Sequence, residues 1–271
     1  IIMKFSLKGL LTIAAAASAL VLAGCGEKEV DTSKIKVGVM AGAEAQVAEV
    51  AAKVAKEQYG LDVELVTFTD YVTPNAALDD GSIDINAFQH APYLDQQVAD
   101  RGYKLTIAGN TFVYPIAGYS KEVKSVDEIQ DGARIAVPND PTNLGRSLLL
   151  LEQQGLLELR EGAGLLATVR DIVGNPKNLT IVELDAAQLP RSLDDVALSI
   201  INTTYASSIN LTPQKDGIFV EDKDSPYVNL IVSREDNLNA ENVQNFVKAY
   251  QTEEVYNAAS DIFQGGVVKG W

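Results

Sequence analysis

Aromatic side chains and the chain's only histidine are concentrated in residues 70–94, DYVTPNAALDDGSIDINAFQHAPYL. Tyr71 falls at a predicted turn, and the alternation of apolar residues predicts a strand that ends near Phe88. Phe88 and His90 then point the same way, with Tyr93 just beyond. Any one of these rings could simply be a core residue. The polar neighbours favour the other interpretation, in which the rings form the wall of a site for an apolar ligand.

A charged candidate follows a predicted strand in the second half of the chain, in PNDPTNLGR at residues 138–146. Asp140 is expected to cap a helix whose first residue is Pro141. Asn143 and Arg146 would share one face of its first two turns. A guanidinium beside a helix start is suited to a carboxylate, because it donates in a planar fork. The alternative is a surface arginine paired with Asp or Glu.

Two asparagines complete the candidate set. Asn202 ends a predicted strand in IINTTYA, and Asn229 lies within the apolar strand pattern YVNLIV. An amide among apolar strand residues costs free energy unless it is paired. Its oxygen could accept from an ammonium and its nitrogen could donate to a carboxylate. A structural asparagine that fixes a turn is the alternative at either position.

Composition argues against several classes of protein. The formal charge of −15 disfavours nucleic acid and anionic lipid surfaces as partners. One histidine and one cysteine cannot build a multi-histidine metal site, and no disulfide is possible within the chain. The G-x-S-x-G, H-E-x-x-H and P-loop motifs are absent. We therefore expect a protein that is not an enzyme and that uses no metal or cofactor.

The elements around these residues repeat. Each half of the chain reads as strand, loop, helix ending in glycine, strand, short helix and strand, which predicts two α/β lobes with parallel sheets. Residues 104–119 read as a long strand that crosses between the lobes, and residues 224–233 as a second crossing. An insertion at residues 156–178 is expected to contain its own helix. Two lobes joined by two strands predict a hinged cleft, with ligands bound beyond the strand ends.

The domain boundaries follow from this pattern. Lobe 1 is expected to comprise residues 34–113 and 230–271, and lobe 2 residues 114–229. Residues 1–24 read as a lipoprotein signal peptide, with Lys4 and Lys8 before an apolar run too short to span a membrane. The run ends in LAGC, so Cys25 is the expected site of lipidation and residues 25–33 a tether. An ordinary secretory signal with a chance cysteine is the alternative.

Several long motifs resemble the methionine-binding lipoproteins of bacterial methionine ABC importers, the NlpA lipoprotein family. They are DYVTPNAAL, GSIDINAFQHAPYL, NTFVYPIAGYS, VPNDPTNLGRSLLLL, LDDVALSIINTTYA and SPYVNLIVSRED. The resemblance extends along the whole chain. It implies a type II periplasmic-binding-protein fold and delivery of L-methionine, or also D-methionine, to a membrane permease and its ATPase. It also implies a monomer on the periplasmic side of the cell envelope, held to a membrane by the lipid on Cys25.

The resemblance also implies roles for the candidate residues. Arg146 and Asn143 would hold the methionine carboxylate, and Asn202 and Asn229 the ammonium and carboxylate ends. The thioether chain would be enclosed by four residues: Tyr71, Phe88, His90 and Tyr93. Two alternatives stay open. One is a receptor of the same fold for another amino acid or a short methionine-containing peptide; the other is a surface lipoprotein with no role in transport.

Overall fold

The computed structural model describes residues 31–271. The predictions of a signal peptide at residues 1–24 and of lipidation at Cys25 lie outside this range. Strands in the described range are β1 (Lys34–Met40), β2 (Asp62–Phe68), β3 (Ile85–His90), β4 (Leu105–Val113), β5 (Ala117–Tyr119), β6 (Arg134–Pro138), β7 (Glu158–Leu159), β8 (Ile172–Gly174), β9 (Thr180–Leu184), β10 (Leu198–Ile201), β11 (Phe219–Val220), β12 (Val228–Arg234) and β13 (Val268–Lys269).

The α-helices of the same range are α1 (Ala43–Tyr59), α2 (Thr73–Asp79), α3 (Ala91–Arg101), α4 (Pro141–Gln153), α5 (Leu189–Ser192), α6 (Thr203–Ser207), α7 (Pro213–Asp216), α8 (Glu241–Tyr250) and α9 (Glu253–Ile262). Single turns of 3-10 helix occur at Val126–Glu128, Gly164–Leu166, Val169–Asp171 and Ala186–Gln188. No helix among the described residues combines the length and the apolar character needed to cross a bilayer.

Lobe 1, as the term is used from here, is built on a six-stranded sheet in the order β13-β4-β12-β3-β1-β2. The strands β1, β2 and β3 pair in parallel, as expected from strand–helix–strand units, while β12 runs antiparallel between β3 and β4. Helices α1, α8 and α9 share an apolar core with this sheet through Val47, Phe246 and Val255. The sequence also predicts two helices at the end of the chain that pack back on lobe 1, and this prediction is confirmed.

Lobe 2 is built on a five-stranded sheet in the order β11-β5-β10-β6-β9. Strand β6 pairs in parallel with β9 and β10, and β5 pairs antiparallel with β10. The leucines of α4 form much of its core, with Leu148 and Leu151 fully buried. The two α/β lobes that the repeated pattern predicts are therefore present. The lobe boundaries at residues 113/114 and 229/230 stay a prediction.

The chain crosses between the two sheets twice, after β4 and before β12. The long strand expected at residues 104–119 is wrong in one respect, because it is broken at residues 114–116 and its two parts belong to different sheets. Pro115 has no N–H for a sheet ladder. Side chains of lobe 2 take up the backbone groups of the break: Arg146 donates to the Tyr114 carbonyl and Thr203 to the Pro115 carbonyl.

Two local predictions are also corrected. The helix expected within residues 156–178 is replaced by two 3-10 turns and a short β7–β8 hairpin. Gly162 and Gly164 both have positive φ there, which interrupts a regular helix. The residue types also predict Thr73 as the N-cap of a helix that begins at Pro74. Instead, α2 begins at Thr73 and its start is capped by the Asp70 carboxylate, which accepts from the N–H groups of Val72 and Thr73.

Candidate functional site

One cavity between the lobes brings together all eight residues singled out from the sequence. Its empty space is about 380 Å³. The eight are Tyr71, Phe88, His90 and Tyr93 from lobe 1, Asn143, Arg146 and Asn202 from lobe 2, and Asn229 at the start of β12. Gln89, Tyr114, Thr203 and Thr204 complete the lining. We call this cavity the cleft. The placement puts apolar rings and polar groups around one space, and the ligand contacts of these residues stay a prediction.

The aromatic side of the cleft is a set of rings packed against one another. The ring centre of Tyr71 lies 6.0 Å from that of Phe88 and 5.0 Å from that of Tyr205 of lobe 2. Tyr93 meets Phe88 edge-on at 6.0 Å, and its hydroxyl donates to the Tyr71 carbonyl over 2.7 Å. These contacts between the rings hold the wall in place.

A buried cluster of amides fixes this wall from behind. The amide nitrogen of Asn75 on α2 donates to the Gln89 oxygen over 2.8 Å, and Gln89 donates back over 2.7 Å. Asn86 also donates to the Asn75 oxygen, over 2.9 Å. All three side chains are buried, so these bonds are needed to offset the loss of water. The cluster ties α2 to β3, and it accounts for Asn86 as a structural residue.

His90 is neutral and its tautomer follows from its partners. Burial lowers the pKa of His90 to about 3, and the positive charge of Arg146 acts in the same direction. Its Nδ1 accepts the backbone N–H of Tyr93 over 3.1 Å, which caps α3. The proton of the neutral ring therefore lies on Nε2, which donates to the Asn143 Oδ1 over 3.0 Å. This bond joins the two lobes across the cleft.

Asn143 links three polar groups of the cleft. Its amide nitrogen donates to the Asp140 carboxylate over 3.0 Å, and Asp140 also caps α4 as predicted by accepting the Asn143 N–H. Its oxygen accepts from His90 and, over 3.2 Å, from the Asn202 amide nitrogen. The Asn202 oxygen is then left buried with no hydrogen-bond partner among the described residues. A buried, unpaired acceptor that lines a cavity favours a ligand with an N–H group there.

Arg146 is buried, with 3% of its side chain exposed, and is held on three sides. Its Nε donates to Glu221 Oε1 over 2.8 Å and its Nη2 to Glu221 Oε2 over 2.5 Å. Nη2 also donates to the Tyr114 carbonyl over 3.1 Å, and the Tyr227 ring lies 4.3 Å from the guanidinium carbon. Arg146 is therefore paired with a glutamate, as in the alternative considered above, but the pair is buried beside the cleft and does not lie on the surface.

A second contact between the lobes involves a buried acid. The Glu44 carboxyl at the start of α1 is hydrogen-bonded to the Thr204 hydroxyl, at the edge of the cleft. Complete burial raises the pKa of Glu44 to about 8. The carboxyl is therefore mostly protonated at neutral pH. The hydroxyl of Tyr205 also donates across the lobes, to the Thr69 carbonyl over 3.2 Å.

Sequence reasoning missed several residues around the cleft. Thr203 and Thr204 directly follow Asn202 at the end of β10, so the position that singled out Asn202 could have found them too. Tyr114 precedes Pro115 at the crossing, where a change of lobe was already expected. Glu221 carries no such signal, because it is one of 37 acidic residues and lies 75 positions from Arg146.

The arrangement suits recognition of a molecule with an acidic end, a basic end and an apolar chain. Arg146 offers donors, the Asn202 oxygen offers an acceptor, and the rings of Tyr71, Phe88 and Tyr93 offer an apolar surface. Within residues 31–271 no group of three or more His, Cys, Asp or Glu side chains is placed to hold a metal ion.

Comparison with known proteins gives consistent results. The family model described as NlpA lipoprotein matches residues 35–271. Over 269 residues the chain is 85% identical to a protein of Vibrio cholerae named probable D-methionine-binding lipoprotein MetQ, covering 99% of this chain and all of that one. It is 69% identical over 271 residues to D-methionine-binding lipoprotein MetQ of Escherichia coli, with 99% and 100% of the two chains covered.

A solved structure extends the comparison to a bound ligand. A nutrient binding protein from Burkholderia cenocepacia, described as bound to methionine, superposes with a TM-score of 0.86 at 52% identity. The match covers 88% of this chain and 100% of that one. A periplasmic substrate-binding protein of an ABC transporter from Coxiella burnetii superposes with a TM-score of 0.85 at 48% identity, covering 87% and 100% of the two chains. The fold is therefore that of the periplasmic substrate-binding proteins.

Proposed function

Because the chain belongs to the NlpA lipoprotein family, we propose that it captures methionine in the cleft and delivers it to an ABC importer. The observation that carries the proposal is the pairing of Arg146 with the unpartnered Asn202 oxygen in one cavity. The first suits a carboxylate and the second an ammonium, which are the two charged groups of an amino acid. The names of the relatives support methionine as that amino acid.

The aromatic wall supports a thioether in particular. A sulfur atom beside an aromatic ring gains about 0.3–1.5 kcal/mol per contact, and Tyr71, Phe88 and Tyr93 all line the cleft. We assign Arg146 and Asn143 to the carboxylate end, Asn202 and Asn229 to the polar groups at the α-carbon, and the rings with His90 to the side chain. This is a binding role, with no reacting group required.

Capture and release of methionine follow from a shift of the protein between a form with an open cleft and a form with a closed cleft. The contacts of His90 with Asn143 and of Glu44 with Thr204 close the lobes over the cleft. Methionine would touch both lobes and so stabilise the closed form further. We propose that the closed form is recognised by a membrane permease driven by an ATPase, with the protein monomeric and lipid-anchored at Cys25 on the periplasmic side of the envelope.

Native mass spectrometry of the purified protein, before and after unfolding and refolding, tests the assignment. We expect a mass decrease equal to one methionine on refolding, and recovery of that mass on adding methionine. Norleucine has a methylene in place of the sulfur, so it should bind more weakly than methionine. D-methionine and L-methionine should be titrated separately, since the relatives are named for the D form.

Other outcomes would point elsewhere. Tighter binding of another amino acid, or of a short methionine-containing peptide, would favour a receptor of the same fold with a different ligand. If no amino acid changes the mass or the melting temperature, the methionine assignment is wrong and a surface lipoprotein without a transport role becomes the better interpretation.

A further inference from the structure

Glu221 is the partner of Arg146 but does not line the cleft. The guanidinium lies between two cavities, and Glu221 lines only the second, together with Asp222 and Tyr227. The edge of Arg146 formed by Nε and Nη2 is occupied by Glu221, which lines the second cavity and not the cleft. A ligand in the cleft would not have to displace this carboxylate.

The donors of Arg146 can be counted. A guanidinium has five N–H groups, of which Glu221 accepts two and the Tyr114 carbonyl one. The two N–H groups of Nη1 have no hydrogen-bond partner among the described residues. Side-on pairing with Glu221 and the ring of Tyr227 against its face fix the plane of the group. We expect the two donors of Nη1 to meet a ligand carboxylate in the cleft, which Arg146 lines.

Charge is balanced at the same place. Glu221 is 10% exposed and Arg146 is 3% exposed, so neither charge is well screened by water. His90 adds no positive charge at the cleft because it is neutral, and Glu44 adds little negative charge because it is mostly protonated. The Asp140 carboxylate is paired with the start of α4 and with Asn143. The Arg146 end of the cleft therefore presents a donor without an excess of positive charge.

We infer that Glu221 is a specificity-determining residue, which makes the cleft select a zwitterion over a simple carboxylate anion. This inference rests on the proposed binding of methionine. An anion without an ammonium meets Nη1 but is also repelled by the nearby carboxylate of Glu221. The ammonium of a zwitterion is attracted by the same carboxylate, which offsets that repulsion. Glu221 thus acts on the ligand in two ways: its charge attracts or repels the charged groups of the ligand, and its hydrogen bonds orient the guanidinium of Arg146.

Two fragments of methionine test this inference by isothermal titration. The anion 4-(methylthio)butanoate lacks the ammonium, and 3-(methylthio)propylamine lacks the carboxylate; both are smaller than methionine and should fit the cleft. In Glu221→Gln we expect the anion to bind more tightly and the amine more weakly than in the wild type. The ratio of the dissociation constants of the anion and methionine should fall by about tenfold or more, from Coulomb's law at an effective dielectric near 20.

Asp222→Asn is the matched control. It removes the same charge from the next residue, which is exposed, and Asp222 has no hydrogen bond with Arg146. Its ligand ratios should equal those of the wild type. Glu221→Ala is the second variant, because it removes the carboxylate without placing an amide donor against Arg146, and it should shift the ratios in the same direction as Glu221→Gln.

The outcomes separate this inference from the proposed function. If the wild type fails to bind methionine, the proposed function is wrong and the inference falls with it. If the wild type binds methionine but Glu221→Gln weakens all three ligands equally, Glu221 is structural and only the inference is overturned. Failure of both Glu221 variants to fold would overturn it as well, since the carboxylate would then be required by the fold.

Discussion

Burial makes two side chains that join the lobes neutral. It lowers the pKa of His90 and raises the pKa of Glu44. His90 loses its positive charge and Glu44 its negative charge, each because the charged form would lie away from water. Both residues are thereby able to bond across the lobe interface as neutral groups. Each shift also links the stability of the protein to pH.

Glu44 gives a prediction with a definite sign. Its pKa rises from 4.5 to about 8 on folding, so its contribution to stability is complete below pH 4.5. As the pH rises from 4.5 to 8, the unfolded chain ionises and the folded one does not, and that contribution is lost. In Glu44→Gln this loss is absent. We expect the free energy of unfolding of the variant, relative to wild type, to improve by a few kcal/mol between pH 4.5 and pH 8.

Urea unfolding at a series of pH values measures this difference. Glu49→Gln serves as the control, because Glu49 is exposed on the same helix, α1. Its stability should follow the wild type across the range. Parallel curves for Glu44→Gln and wild type would show that the carboxyl of Glu44 ionises in the folded protein, contrary to the effect of its burial.

For individual residues, the sequence predicts which side chains line the cleft better than it predicts which buried side chains bond to them. Arg146 and Asn143 are found because a helix start beside a strand end has a recognisable pattern. The partners Glu221 and Glu44 come from distant parts of the chain, and only the folded arrangement brings them to Arg146 and Thr204. A count of acidic residues contains no information about which one is buried.

Helix α4 shows how one element depends on its neighbour. A Cβ atom at Gly145 would lie 2.0 Å from the Leu165 carbonyl oxygen and 2.8 Å from its carbon, both backbone atoms. The 3-10 turn at Gly164–Leu166 therefore packs directly on the helix backbone. The sequence predicts a helix in that insertion, because it does not record so close an approach or the positive φ of Gly164.

Gly145→Ala should consequently destabilise the protein, although alanine is favoured over glycine within helices by about 1 kcal/mol. Overpacking against backbone costs about 1–3 kcal/mol and should exceed that gain. Urea unfolding gives the comparison, with Gln153→Ala at an exposed position of α4 as the control. An increase in stability of Gly145→Ala would mean that the turn can move away at no cost.

For the whole molecule, alternating strands and helices were sufficient to predict two α/β lobes and a cleft. The break at residues 114–116 is harder to predict from the sequence, because apolar alternation continues on both sides of Pro115. Only the change of sheet separates the two strands. Closure of the cleft depends on individual contacts, such as those of His90 and Tyr205, which no local pattern contains.

The position of β12 between β3 and β4 has a consequence for the order of folding. The five-stranded sheet uses strands within residues 117–220, whereas the six-stranded sheet also needs β12 and β13 from later in the chain. We expect lobe 2 to form first. Pulse-labelled hydrogen exchange during refolding should protect the amides of β6 and β10 before those of β3 and β4; earlier protection of β3 would contradict this order.

In a chain that emerges from its amino terminus, β4 and one edge of β3 would therefore lack their sheet partner until β12 arrives. Asn229 arrives with the same strand and lines the cleft. Ligand binding is thus coupled to completion of the chain, and a partly synthesised protein could not yet capture its ligand.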